Sequence, residues 1–108
     1  ILPVRLHHGR FTVLGYRVGD LAYCTDVNRI PDETFDALQG LDVLILDALR
    51  FDPHPTHFHL DEALRVVERL APKRAYFTHC SHEFDFARVE AMLPPHVHLA
   101  HDGLVVPF

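Results

Sequence analysis

No apolar run in the 108-residue sequence approaches the ~18 residues that a membrane-crossing helix requires. Stretches such as Val43–Leu46 and Leu104–Val106 are far shorter, so no helical span is expected. No secretory leader pattern and no lipidation motif is readable, and the expected address is the cytoplasm. A Cys-x-x-Cys pair is also missing. Cys24 and Cys80 stand far apart, which argues against a structural zinc knot and for two reduced, buried thiols. Clustered positive charge is lacking too: the ten Lys and Arg residues are scattered and the formal net charge is −5. That argues against a broad electrostatic surface for nucleic acid. A small anionic substrate stays compatible, because a metal centre supplies positive charge locally. No linker, repeat or low-complexity segment interrupts the chain, which reads as a single unit over residues 1–108.

What is abundant is histidine, with ten residues, several at the ends of apolar runs. Imidazole is the commonest metal ligand and the usual proton carrier near neutral pH. With 48% hydrophobic and 23% charged residues, the composition is that of a compact domain, or part of one, with a small core.

Strand-like and helix-like patterns alternate. The chain enters a strand-like stretch at Ile1-Leu2-Pro3 without an initiator methionine, and upstream sequence is expected. Phe11–Val18 alternates and turns through Gly19-Asp20 into Leu21–Thr25, a hairpin pattern. Pro31, Asp32 and Glu33 open a short helix, with Phe35 and Leu38 facing inward and Gly40 closing it. Asp42–Asp47 is an apolar run with polar ends, suited to a strand buried on both faces. A loop rich in Pro and His, Phe51–His59, precedes an amphipathic helix over Leu60–Leu70 with Leu60, Ala63, Leu64, Val67 and Leu70 on one stripe. Ala75–Thr78 predicts a strand, Phe84–Leu93 a third helix stopped by Pro94-Pro95, and Val97–Ala100 and Leu104–Val106 two closing strands. The alternation points to an α/β class with at least partly parallel strands.

In such sheets, ligands collect in loops past the carboxyl ends of strands. Asp26 follows one predicted strand, Asp47 ends another and His79 follows a third. Hydrolytic metal centres need neutral imidazoles and carboxylates on rigid elements, with a position left for water. Asp26 is therefore the candidate bridging carboxylate, with His8 and His79 as imidazole ligands. His57, in the loop before the amphipathic helix, is free to serve as proton donor or anion-binding group. His82 either hydrogen-bonds a ligand or substrate or is an exposed helix-start residue. Asp47 either orients a ligand imidazole or caps its strand.

The stretch His8-Gly9-Arg10 … Val13-Leu14-Gly15-Tyr16-Arg17-Val18, followed by Tyr23-Cys24-Thr25-Asp26, resembles the third and fourth metal motifs of the metallo-β-lactamase superfamily. The likeness is closest to the branch holding the phosphoribosyl 1,2-cyclic phosphate phosphodiesterases and the tRNA 3′-processing endonucleases. It continues through Leu44–Arg50, His54–Leu60, Tyr76–His82 and His101–Leu104. The resemblance implies that His8, Asp26 and His79 are metal ligands and that His57 holds the catalytic histidine position. It implies two divalent transition metals, zinc or manganese, in the complete site. The family's His-x-His-x-Asp-His motif is absent from these residues. The resemblance thus implies the C-terminal half of an αβ/βα sandwich, a mixed sheet with helices on its outer face, completed by a missing N-terminal half or a second chain. The inner face should then be apolar and exposed.

The activity so implied is hydrolysis of a small cyclic or nucleotide-like phosphodiester, with His57 serving the leaving oxygen. A tRNA 3′-processing endonuclease is the alternative enzymatic reading, against which stand the negative charge and the lack of a basic arm. A non-catalytic half-domain that packs on a partner is the alternative from another class.

Overall fold

The computed structural model describes residues 1–25, 27–47, 60–78 and 86–100, with Asp47, Phe86, Ala87 and Arg88 described through the backbone alone. Among the described residues, six strands form one mixed sheet in the order of the chain. They are β1 (Leu2–His8), β2 (Phe11–Val18), β3 (Leu21–Cys24), β4 (Val43–Asp47), β5 (Arg74–Thr78) and β6 (Val97–Leu99). The helices α1 (Asp32–Ala37), α2 (Leu60–Leu70) and α3 (Phe86–Met92) fill the connections after β3, β4 and β5. β1, β2 and β3 pair antiparallel; β3, β4, β5 and β6 pair parallel.

Parallel neighbours joined by crossovers have one favoured hand. Because the strand order advances steadily from β3 to β6, every such crossover lays its helix on the same face. The core follows that rule. Registered positions Ala22, Leu44, Ala75 and Val97 form one row across the sheet, and Cys24, Leu46, Phe77 and Leu99 the next. All eight join one buried cluster with Val4, Leu6, Phe35, Leu38, Val89 and the buried side of α2.

The opposite face is apolar and open over β2 and β3. Leu14, Tyr16, Val18 and Tyr23 are between 40% and 56% exposed there. The expectation of helices on one face and a bare apolar face on the other is met among the described residues.

Local chemistry accounts for the elements. Pro31 caps α1 and its carbonyl accepts from the N–H groups of Thr34 and Phe35, at 3.0 and 3.1 Å. At the other end, the Arg17 guanidinium donates to the carbonyls of Ala37 (3.1 Å) and Gln39 (2.6 Å), placing a cation where the helix dipole is negative. The Thr34 hydroxyl donates to the Arg5 carbonyl at 2.7 Å and ties α1 to β1. A Cβ on Gly15 would stand 2.8 Å from Leu6 Cδ1 and 2.9 Å from the Tyr23 carbonyl oxygen. The close packing of β1, β2 and β3 therefore needs glycine at position 15.

α2 spans the expected residues, but its buried stripe differs. Val66 is buried and Leu64 only partly so. At about 100° per residue the buried arc centres near Ala63, leaving Val66 about 60° from its middle and Leu64 about 100° away. The helix ends with Ala71 at φ +47, its N–H donating to the Val67 carbonyl at 2.8 Å. Pro72, which cannot extend a helix, follows. The expected third helix is described over Phe86–Met92, and the expected strand Leu104–Val106 lies outside the described residues.

Candidate active site

β1 runs parallel to β3 because both are antiparallel to β2. Five of the six strands therefore end at one edge of the sheet: β1 at His8, β3 at Cys24, β4 at Asp47, β5 at Thr78 and β6 at Leu99. His79 is the next residue in sequence after Thr78, and Asp26 the second after Cys24. Loops beyond the carboxyl ends of parallel strands are where α/β sheets place their ligands, since backbone there is free of the ladder and can be shaped.

The exits of β1 and β3 are locked together. The His7 N–H donates to the Arg29 carbonyl (3.0 Å) and the Asn28 N–H to the His7 carbonyl (2.9 Å). Gly9, at φ +60 in the turn after His8, donates its N–H to Asn28 Oδ1 at 3.0 Å. Val27 is fully buried and pins the same segment. The link through position 26 thus joins the end of β3 to the end of β1, where His8 is half-buried. Asn28 was not legible as a structural residue, because its partner Gly9 lies 19 residues away in the chain.

At the far side of the sheet, the Glu90 carboxylate takes His98 Nδ1 at 2.7 Å and the Leu99 N–H at 2.8 Å. It satisfies an outward-facing donor on the outermost described strand and fixes the end of β6. His98, inside the expected closing strand, is half-buried and its ring lies 5.7 Å from that of Tyr76. One further feature marks the edge. The Thr78 hydroxyl oxygen is buried and has no hydrogen-bond partner among the described residues.

Of the residues singled out in the sequence, His8 and the backbone of Asp47 fall at this edge. Asp26, His57, His79 and His82 lie outside the described residues, as does Cys80. Among the described residues no group of three His, Cys, Asp or Glu side chains could hold a metal ion. Two clefts, of about 300 and 290 Å³, lie elsewhere, one between β1 and α1 and one between α2 and the turn before β6. Cys24 is buried, as expected. Among the described residues no helix is long and apolar enough to cross a membrane.

Comparison with known proteins adds three findings. Residues 1–80 match the model of the beta-lactamase superfamily domain. A diphosphatase from the PhnP family shares 47% identity and superposes with a TM-score of 0.97 over 99% of this chain and 42% of its own. An octanoyltransferase of Porphyromonas gingivalis is 32% identical over 104 residues, 94% of this chain but 21% of that protein. The chain thus spans less than half the length of either relative.

Two more distant structures share the fold. Human tRNase Z, short form, has 21% identity and a TM-score of 0.74 over 97% of this chain and 40% of its own. The metallo-beta-lactamase fold protein YhfI from Bacillus subtilis has 19% identity and a TM-score of 0.74 over 94% of this chain and 46% of its own. With its mixed sheet, one-sided helices and matched family model, the chain belongs to the beta-lactamase superfamily and has the metallo-β-lactamase fold.

Proposed function

We propose that these residues form one part of a metal-dependent hydrolase site acting on a small cyclic or nucleotide-like phosphodiester. The observation that carries this reading is the common edge at which β1, β3, β4 and β5 end, with His8 and Asp47 on it and the Asp26 and His79 motifs next to it in sequence. The 47% identity to a protein named as a diphosphatase supports phosphate chemistry. In this reading His8, Asp26 and His79 hold the metals, and His57 gives a proton to the leaving oxygen or holds its negative charge. Asp47 and His82 orient the ligand imidazoles through hydrogen bonds.

Imidazole and carboxylate donors at strand ends suit zinc or manganese. The Thr78 hydroxyl, without a partner among the described residues, fits an edge shaped around a further polar group. Two bound divalent ions would supply Lewis-acid charge neutralisation at phosphorus and acidify a water.

The remaining part of the site comes, in this proposal, from an N-terminal half or a second chain. The open apolar face over β2 and β3 supports that assignment, since a patch of this kind favours a covering partner. The nuclease reading has the fold likeness alone behind it, and the net charge of −5 weighs against it.

The test is an assay of the whole protein against a small cyclic phosphodiester, a disubstituted diphosphate and a precursor tRNA, with and without chelator. Chelator-sensitive cleavage of the cyclic phosphodiester, restored by zinc or manganese, is expected. Cleavage of precursor tRNA alone, or hydrolysis indifferent to chelator, would be the wrong result for this reading.

A further inference from the structure

We infer that Arg5, His7 and Arg29 form a binding site for a phosphate group, on the sheet face opposite the helices and near the end of β1. The site requires a phosphate-bearing ligand and no metal.

The cations are scattered in the sequence, and the fold gathers them. Residues 1–19 hold Arg5, Arg10 and Arg17 and no Asp or Glu, although the whole chain has a formal net charge of −5. The β1–β2 hairpin is therefore a basic element in an acidic chain. Val4 and Leu6 are buried while Arg5 is exposed. Alternation thus puts Arg5 and His7 together on the face away from the core, about 7 Å apart along the strand. An antiparallel bridge sets Arg29, itself exposed, opposite His7. Residues so opposed share a face, with their Cβ atoms about 5 Å apart.

The backbone beneath these side chains is fixed. The His7 N–H donates to the Arg29 carbonyl at 3.0 Å, and the Asn28 N–H to the His7 carbonyl at 2.9 Å. The Asn28 side chain takes the Gly9 N–H at 3.0 Å. Donors held on such a frame bind a ligand with less ordering cost than donors on a free loop.

The fold does not use either guanidinium. Arg17, Arg69 and Arg74 pair with Asp20, Asp32 and Asp42. Arg5 and Arg29 have no ion-pair partner among the described residues. Glu33 lines a cleft with Arg5 without pairing with it. Neighbouring guanidinium groups repel each other, and a bound dianion turns that repulsion into attraction. Phosphate suits them because its oxygens accept the paired N–H bonds of a guanidinium fork. The imidazole of His7 adds a further ring N–H.

The experiment titrates inorganic phosphate into the metal-stripped whole protein by calorimetry at low salt. Wild type is compared with Arg29→Gln, Arg5→Gln and Arg65→Gln. Arg65 is an exposed arginine of α2, so its substitution makes the same charge change on the helix-covered side. Arg29→Gln and Arg5→Gln should each weaken phosphate binding by about tenfold or more, as loss of a charge-assisted hydrogen bond does. Arg65→Gln should leave it unchanged. No binding to wild type, full binding in Arg29→Gln and Arg5→Gln, or an equal loss in Arg65→Gln overturns the inference. Kinetics of the metal-loaded protein then separate two sources of the phosphate. If the substrate carries it, Arg29→Gln raises KM for a phosphodiester with an added terminal phosphate, but not for the same ester without one. If free phosphate is the ligand, neither KM moves while phosphate binding is lost. A wild type that cleaves no phosphodiester, yet binds phosphate through Arg29, overturns the hydrolase reading and leaves this site standing.

Discussion

Phe77→Ala is expected to destabilise the protein by about 3–5 kcal/mol, the range for deleting a fully buried aromatic ring. Phe77 is fully buried in the middle of the shared core. Its register neighbours, Leu46 and Leu99, are also sealed on the helix-covered face. β5 is hydrogen-bonded on both sides, by β4 and β6, so the backbone cannot close in on the space left by the ring, and a cavity term adds to the lost transfer energy. The effect reaches the candidate site, because Thr78 and then His79 follow Phe77 in the chain. Denaturant unfolding measures it, and Met92→Ala, at a side chain 63% exposed, should change stability by no more than about 0.5 kcal/mol. A Phe77→Ala loss below about 1 kcal/mol would mean that β5 is not the centre of the core.

His57→Ala should reduce kcat by about 10²–10⁴-fold, the usual contribution of a positioned general acid, while leaving bound metal unchanged. His8→Ala and Asp26→Ala should instead release metal and take the activity with it. The two classes separate because a ligand sets the affinity for the ion, whereas a group serving the leaving oxygen acts only as charge develops in the transition state. His8 sits at a strand end locked to Asn28 through Gly9 and His7, so its substitution should leave the backbone there in place. Metal content and steady-state kinetics on the three variants read the difference. Loss of metal from His57→Ala would move that residue into the ligand set. Full metal and full activity in His8→Ala would remove His8 from the site.

The legibility of the fold followed from periodicity. The run Val43–Leu46 announced a central strand, and the bounds of α2 were readable to the residue because Leu60 and Leu70 bracket one apolar stripe. Pro31 marked the start of α1 for the same reason that it cannot sit inside a helix. The stripe itself was displaced, with Val66 taking the place of Leu64, because tertiary packing and not hydrophobicity selects the arc that faces the sheet.

Long-range polar contacts were not legible. The Asn28–Gly9 lock spans 19 residues, the Glu90 clamp reaches His98 and Leu99 from another element, and Arg17 caps a helix 20 residues away. No local spacing rule reports these. The candidate site stands between the two cases. Its strand ends were predictable from the alternation of elements, and the order of its motifs carried the family. Of the residues named for chemistry, Asp26, His57, His79 and His82 fall outside the described residues, so their roles rest on sequence.

The central claim is that this sheet edge belongs to a two-metal hydrolase site, and elemental analysis of the whole protein tests it most directly. The account predicts about two equivalents of zinc or manganese per complete site, as two-metal hydrolysis requires, falling sharply in His8→Ala. A protein that binds no divalent transition metal, or binds it equally well without His8 and Asp26, would contradict it.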